Sequence, residues 1–376
     1  MLTVVLAVSG CGRDEQGSDP APRPAPGTSS DQPGPGFAAF ATKNTTRIAG
    51  KDPVANAAAT AQAVFPAGTE GEHPQAVVLT DSGDWRTALA ASALAAQPIG
   101  APLLFSEDMK LPDATSNALA SLSPTGSKAL GDAEVIRIGE APAPKDYKSV
   151  DVAGADPFER AQAIDALLDA AGKQRPGSVI VTGASDPATA MPAASLAAKT
   201  GASILFTEAD SVPAPTKEAL AAHAKPQIVV VGNDETVGPK AIAELKKLGT
   251  VVVTGNAEDP EKASIQVARF TSEGFGWGIV DPGHGLVFAR SGSPLTAAAA
   301  APLSASGSFG PLLLLGSGDK LPSATRSYLR QIQPGHKGDP SRGVYNHGWI
   351  IGDEKAIAVP VQSEIDSLLE IERVQN

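Results

Sequence analysis

APLLFSEDMKLPDAT at residues 101–115, ASILFTEADSVPAPT at 202–216 and GPLLLLGSGDKLPSAT at 310–325 are three renderings of one pattern. Each opens with a short apolar run, crosses a polar turn and reaches a hydrophobe–proline pair: Leu111-Pro112, Val212-Pro213 and Leu321-Pro322. A short apolar run bounded by turn residues reads as a buried strand. The recurrence has a period of about 100 residues, the length of a domain rather than of a solenoid repeat.

Working outward, a second apolar strand precedes each copy: Ala76-Val77-Val78-Leu79-Thr80, Ser178-Val179-Ile180-Val181-Thr182 and Gly285-Leu286-Val287-Phe288-Ala289. Ala-rich stretches at 85–97, 187–200 and 294–305 follow and read as helices. Further upstream stand Arg47-Ile48-Ala49-Gly50-Lys51-Asp52-Pro53, Asp151-Val152-Ala153-Gly154-Ala155-Asp156-Pro157 and Val253-Thr254-Gly255-Asn256-Ala257-Glu258-Asp259-Pro260. Each is a strand, a glycine turn and an Asp-Pro that starts a helix. The Asp side chain accepts orphan backbone N–H groups, and proline at the first helical position has none to lose. A fourth strand closes each unit: Val135-Ile136-Arg137-Ile138-Gly139, Ile228-Val229-Val230-Val231-Gly232 and Trp349-Ile350-Ile351-Gly352. Helical segments at 239–248 and 361–373 follow the last two.

Continuous apolar strands alternating with helices predict a parallel sheet covered on both faces, joined by right-handed crossovers. The expected fold class is α/β: three tandem Rossmann-like parallel-sheet modules at 46–149, 150–249 and 250–376. One continuous sheet is disfavoured because the cycle restarts at the same motif each time.

Composition narrows the function classes. The chain has 376 residues, 42% hydrophobic and 19% charged, enough to bury a core. The net charge of −11 argues against nucleic acid as a partner. A single cysteine excludes an internal disulfide and multi-cysteine zinc sites. No apolar run reaches the roughly 18 residues that a membrane helix needs.

The N-terminus, Met1-Leu2-Thr3-Val4-Val5-Leu6-Ala7-Val8-Ser9-Gly10-Cys11, resembles a bacterial lipoprotein signal ending in a lipobox. The resemblance implies a signal peptide at 1–10, cleavage before Cys11, lipidation of its thiol and an extracytoplasmic, membrane-anchored protein. No Lys or Arg precedes the short apolar run, so the true start is expected further upstream. Residues 11–45 carry the lipidated Cys11 and then a Pro/Gly-rich linker with no apolar periodicity, which reads as a disordered tether.

The ordered landmarks resemble the type 2 cell-wall-binding repeat family, which typically occurs as three tandem copies. Thr46-Arg47-Ile48-Ala49-Gly50-Lys51-Asp52 fits its opening pattern. Pro102-Leu103-Leu104, Ile204-Leu205 and Pro311-Leu312-Leu313-Leu314 fit its third strand. Pro53-Val54 stands where the family has Arg-Tyr, and Thr87 where it has Asp in a Phe-Pro-Asp-Ala-Leu segment. The resemblance implies three modules packed with pseudo-threefold symmetry and noncovalent, noncatalytic attachment to an anionic wall polymer or peptidoglycan-associated glycan.

Candidate contacts follow from chemistry. Arg forks and aromatic faces suit phosphates and sugar rings. Arg47, Lys51, Asp52, Trp85, Arg86 and Arg137 in the first unit, with Arg290 and Arg342 in the third, are the polymer-binding candidates. Trp277 and Trp349 are weighed as contacts against a role as core fillers. Asp52, Asp81, Asp84, Asp156 and Asp186 gather near predicted strand ends, where helix capping accounts for most of them. Gly274-Phe275-Gly276-Trp277-Gly278 and Gly316-Ser317-Gly318 lack the strand, helix and acid of a dinucleotide fingerprint, so no cofactor is expected. His284, His336 and His347 collect in the third unit with Asp281 and Asp339 but in no close ligand spacing, so no metal is expected. No G-x-S-x-G elbow precedes a helix, and no catalytic residue is assigned. The rival readings are a lipid-anchored small-molecule receptor and, further off, a wall amidase or peptidase.

Overall fold

The computed structural model describes residues 40–66, 72–172, 177–305 and 309–374. Its main strands are β1 (Thr45–Ile48), β2 (Val77–Asp81), β3 (Leu103–Ser106), β4 (Val135–Ile138), β5 (Ser149–Val152) and β6 (Ser178–Gly183). They continue with β7 (Ile204–Thr207), β8 (Gln227–Val231), β9 (Thr250–Thr254), β10 (Gly285–Arg290), β11 (Leu312–Leu315) and β12 (His347–Ile351). These form three separate sheets whose strands pair in parallel, as the apolar runs predict.

The first sheet has the order β3-β2-β4-β5, the second β7-β6-β8-β9 and the third β11-β10-β12-β1. The order is the same each time, but the sheets do not coincide with the sequence units at 46–149, 150–249 and 250–376. The strand that opens each unit pairs into the sheet of the unit before it. Ile138 of β4 registers with Val152 of β5, and Val231 of β8 with Thr254 of β9. For the opening unit the preceding sheet is the last one, where Ile351 of β12 registers with Ile48 of β1. Sequence similarity marks where the motif restarts, whereas hydrogen bonding marks where the strand docks. A short antiparallel strand, Phe40–Ala41, extends β1 outward.

The helices that flank the sheets' carboxyl ends and the centre of the molecule include α1 (Pro53–Val64), α2 (Trp85–Ala91), α3 (Pro157–Ala171), α4 (Pro192–Thr200), α5 (Pro260–Arg269) and α6 (Pro294–Ala299). Asp52, Asp156 and Asp259 cap α1, α3 and α5 through their carboxylates, with Pro at the first helical position each time. This is the junction the Asp-Pro spacing predicts. The glycine ahead of the cap is a steric requirement. A Cβ on Gly50 would stand 2.4 Å from the Asn56 amide nitrogen, and one on Gly154 2.6 Å from that of Arg160.

The Ala-rich stretches expected as unbroken helices are each broken. Helix α2 tightens into a 3₁₀ turn at Ser92–Ala95, Pro187–Ala190 stops before α4, and α6 stops before Pro302–Ala305. Pro192 and Pro302 each start the second piece, because proline cannot donate the hydrogen bond that would continue the first. Their alanines let the helices approach closely. Ala95, Ala198 and Ala301, each 103 residues from the next, meet in one buried cluster between the three units. Strand side chains such as Leu79, Phe105, Phe206, Phe288 and Leu313 are almost wholly buried, at roughly 1.5–3 kcal/mol each.

Candidate functional site

In an open parallel sheet, loops part at the carboxyl ends of the two central strands, where crossovers leave in opposite directions, and ligands bind in that crevice. Each of the three sheets has such a point, between β2 and β4, β6 and β8, and β10 and β12. The same positions fill them with different residues.

In the first sheet, Arg160 of α3 crosses the crevice. Its Nε donates to the Gly154 carbonyl at 3.1 Å, and its Nη1 lies 3.3 Å from Asp84 Oδ2. Gly139, at φ +63, leaves the room, since a Cβ there would stand 2.9 Å from Arg160 Nε. What remains is a shallow hollow with Glu140 and Glu159 on its wall. In the second sheet, Thr236 presses onto Gly183 and Gly232, and a Cβ on Gly183 would meet the Thr236 carbonyl at 2.5 Å. The third sheet keeps a cavity of about 110 Å³ at this place. Lys51 and Asp52 line it from the turn after β1, Asn56 from α1, Arg290 from the end of β10, Ser293 and Thr296 from the cap and first turn of α6, and Gly352 from the turn after β12.

Among the sequence-predicted contacts, Arg47 requires correction. Its side chain is 1% exposed, so it does not face a polymer. Nε donates to Gln362 Oε1 at 2.8 Å, and Nη1 donates to the carbonyls of Gly352 at 2.9 Å and Asp353 at 3.0 Å. Burial pulls the guanidinium below its usual pKa, partly offset by Glu354 and Asp353. Arg47 therefore ties β1 to the loop after β12. Arg86 and Trp85 are half-buried and held by contacts within the protein. Arg86 Nε donates to the Ala184 carbonyl at 2.7 Å, its guanidinium lies 4.5 Å over the Trp85 ring, and that ring packs edge-on against Phe206. The pair joins the first unit to the second.

Arg137 holds the Ala141 carbonyl and pairs with Asp151 at 2.8 Å, locking β4 to β5. Trp277 is buried beneath Lys199 in the core, and Trp349 is half-buried at the core's edge, packed against His347. Burial lowers the pKa of His284 and of His347, which disfavours their charged forms. Among the described residues no His, Cys, Asp or Glu group converges for a metal ion. Lys51, Asp52 and Arg290 are the candidates that share one place, the cavity of the third sheet. The Arg342 side chain and Cys11 lie outside the described residues.

Sequence reasoning missed a buried Asp165–His223–Ser203 cluster. His223 Nε2 lies 2.7 Å from Asp165 Oδ1, and Ser203 Oγ donates to the same oxygen. The carboxylate takes both partners, so the hydroxyl faces the acid rather than the imidazole, and all three are sealed from solvent. A Ser-His nucleophile needs the opposite order. The cluster pins α3 to the sheet, and no local sequence spacing announces it. Sequence reasoning also missed Asn56, whose Oδ1 is buried and unpartnered at the cavity wall.

The comparisons with known proteins agree with this architecture. Residues 47–140 and 152–243 match the family model described as Cell wall binding domain 2 (CWB2). Among solved structures, Cwp8 from Clostridium difficile superposes with a TM-score of 0.65 at 18% identity over 87% of this chain. Cwp6 from the same organism does so with a TM-score of 0.65 at 16% identity, also over 87%. The chain spans about half the length of each, 52% and 48%. No curated protein sequence matches. Residues 47–140 and 152–243 are therefore similar to two units of the cell wall binding domain 2 family, in a chain whose third sheet repeats their strand order.

Proposed function

We propose that this chain is a noncatalytic cell-envelope protein that attaches to an anionic cell-wall polymer through three related α/β modules, with the third segment, 250–376, as the third module. The observation that carries the reading is the match of two segments to a cell-wall-binding family, joined to a third sheet of identical order. The modules are arranged about a pseudo-threefold axis through the Ala95–Ala198–Ala301 cluster. Cys11 carries a lipid that holds the chain at the outer face of the membrane, and the Pro/Gly-rich segment spans the distance to the wall. With a net charge of −11, long-range repulsion has to be overcome by local cations at the docking surface. Co-sedimentation with purified walls tests the reading. Walls carrying their phosphodiester polymers should pull the protein down, and walls stripped of them with hydrofluoric acid should not. Equal binding to both would overturn attachment through the polymer.

A further inference from the structure

We propose that the three modules are not equivalent, and that the crevice between β10 and β12 is a ligand pocket, built for a small hydroxylated anion such as one polyol-phosphate or sugar-acid unit. The proposal rests on the wall-binding reading and names the site and ligand class within it.

Charge sets the third crevice apart. Asp81 of β2 and Gly183 of β6 correspond in position to Arg290 of β10, and the helix caps Asp84 and Asp186 correspond to Ser293. The crevice that closes on an Arg160–Asp84 pair in the first sheet thus carries an arginine and a neutral cap in the third. Arg290 is aimed by its own hydrogen bonds. Nη1 donates to the Ala356 carbonyl at 3.3 Å and Nη2 to the Gly316 carbonyl at 2.9 Å, with no carboxylate among the described residues in an ion pair with it. Lys51 adds a second cation on the rim. The one carboxylate among the lining residues, Asp52, accepts from the Ala55 amide at the start of α1.

The third crevice also holds unspent hydrogen-bonding capacity. Arg290 Nε is a buried donor without a partner, and Asn56 Oδ1 a buried acceptor without one. Asn56 is 4% exposed, lines the cavity and turns Oδ1 toward Gly50, 2.6 Å from where a Cβ there would stand. The Ser293 hydroxyl makes no capping bond. Leaving such groups unpaired is costly, so the pocket is poised for a partner that accepts at one end and donates at the other. An anionic oxygen satisfies Arg290 Nε, and a hydroxyl on the same small molecule satisfies Asn56 Oδ1. About 110 Å³ admits several waters or one small polar group, which limits the occupant to one unit of a chain.

Titration of ¹⁵N-labelled protein with sn-glycerol 3-phosphate, glucuronate, inorganic phosphate and glycerol tests the proposal. The hydroxylated anions should shift the amides of Gly50, Lys51 and Gly352 at concentrations of about 10 mM or below. The phosphate and carboxylate arms show which acid the pocket prefers, and glycerol should leave these amides in place. Ser293→Asp installs the cap that Asp84 and Asp186 provide elsewhere in this chain, so it keeps the fold while reversing the local charge. It should weaken binding at least about tenfold. No shift at these amides, equal shifts at the β2–β4 and β6–β8 crevices, or undiminished affinity in Ser293→Asp would overturn the proposal. Wall binding that survives Ser293→Asp in full would sink this pocket and leave the wall reading standing. Glycerol 3-phosphate binding here by a protein that ignores walls would do the reverse.

Discussion

Arg47 shows how a residue can be legible in type and illegible in role. An arginine at the head of a Gly-turn motif reads as a surface cation because its partners, Gln362 and the Gly352 and Asp353 carbonyls, lie over 300 residues away. Its guanidinium spends three hydrogen bonds on closing the third sheet. Arg47→Ala should lower the unfolding free energy by about 3 kcal/mol or more, since it strands buried acceptors as well as deleting packing. Urea denaturation measures this, and a loss under about 0.5 kcal/mol would show that the contacts are incidental. Arg290, by contrast, was placed near a strand end by its sequence and stands there in the structure. The difference is local: the position of Arg290 depends on its own strand, whereas the burial of Arg47 depends on β12 covering it. Asn56 was illegible for the same reason, because a polar residue in an Ala-rich helix acquires meaning through the cavity it lines.

At the scale of elements, the strand-turn-helix junctions were the most legible part of the chain. Asp-Pro caps, apolar strands and their order all follow from short-range chemistry, and the three caps at Asp52, Asp156 and Asp259 stand where the spacing puts them. The broken central helices were missed because an Ala-rich stretch favours continuity, and the interruption is set by Pro192, by Pro302 and by the packing of three helices on one another. The glycine before each cap makes a prediction of its own. Gly50→Ala drives a Cβ into the Asn56 amide and should cost at least about 2 kcal/mol of stability. Gly292→Ala, whose Cβ would meet nothing within 4 Å, should be neutral within about 0.5 kcal/mol. Equal thermal midpoints for the two variants would contradict the close approach of α1.

At the scale of the whole molecule, the exchange of strands between units is what sequence repeats conceal. A repeat reports where a motif begins again, not which sheet its opening strand joins. Docking decides it, and β1 docks on β12. The N-terminal strand is thus part of the last sheet, and its loss should be felt there. A chain begun at Ala49 loses Thr45, Arg47 and Ile48 from that sheet, and should unfold at a markedly lower urea concentration than a chain begun at Pro35. Burial of Ile48 and the Arg47 bonds puts the difference at several kcal/mol. Matching midpoints for the two chains would mean that the third sheet stands without β1.

The same closure brings Lys51 and Asn56 to Arg290, so the proposed pocket and the fold depend on one junction. The account is tested most directly by calorimetric titration of the intact protein with purified anionic wall polymer at low and at physiological ionic strength. It predicts saturable binding whose affinity falls as the Debye length shortens toward ~8 Å, because the attraction is local and electrostatic. Affinity independent of salt, or no heat of binding with any wall polymer, would contradict it.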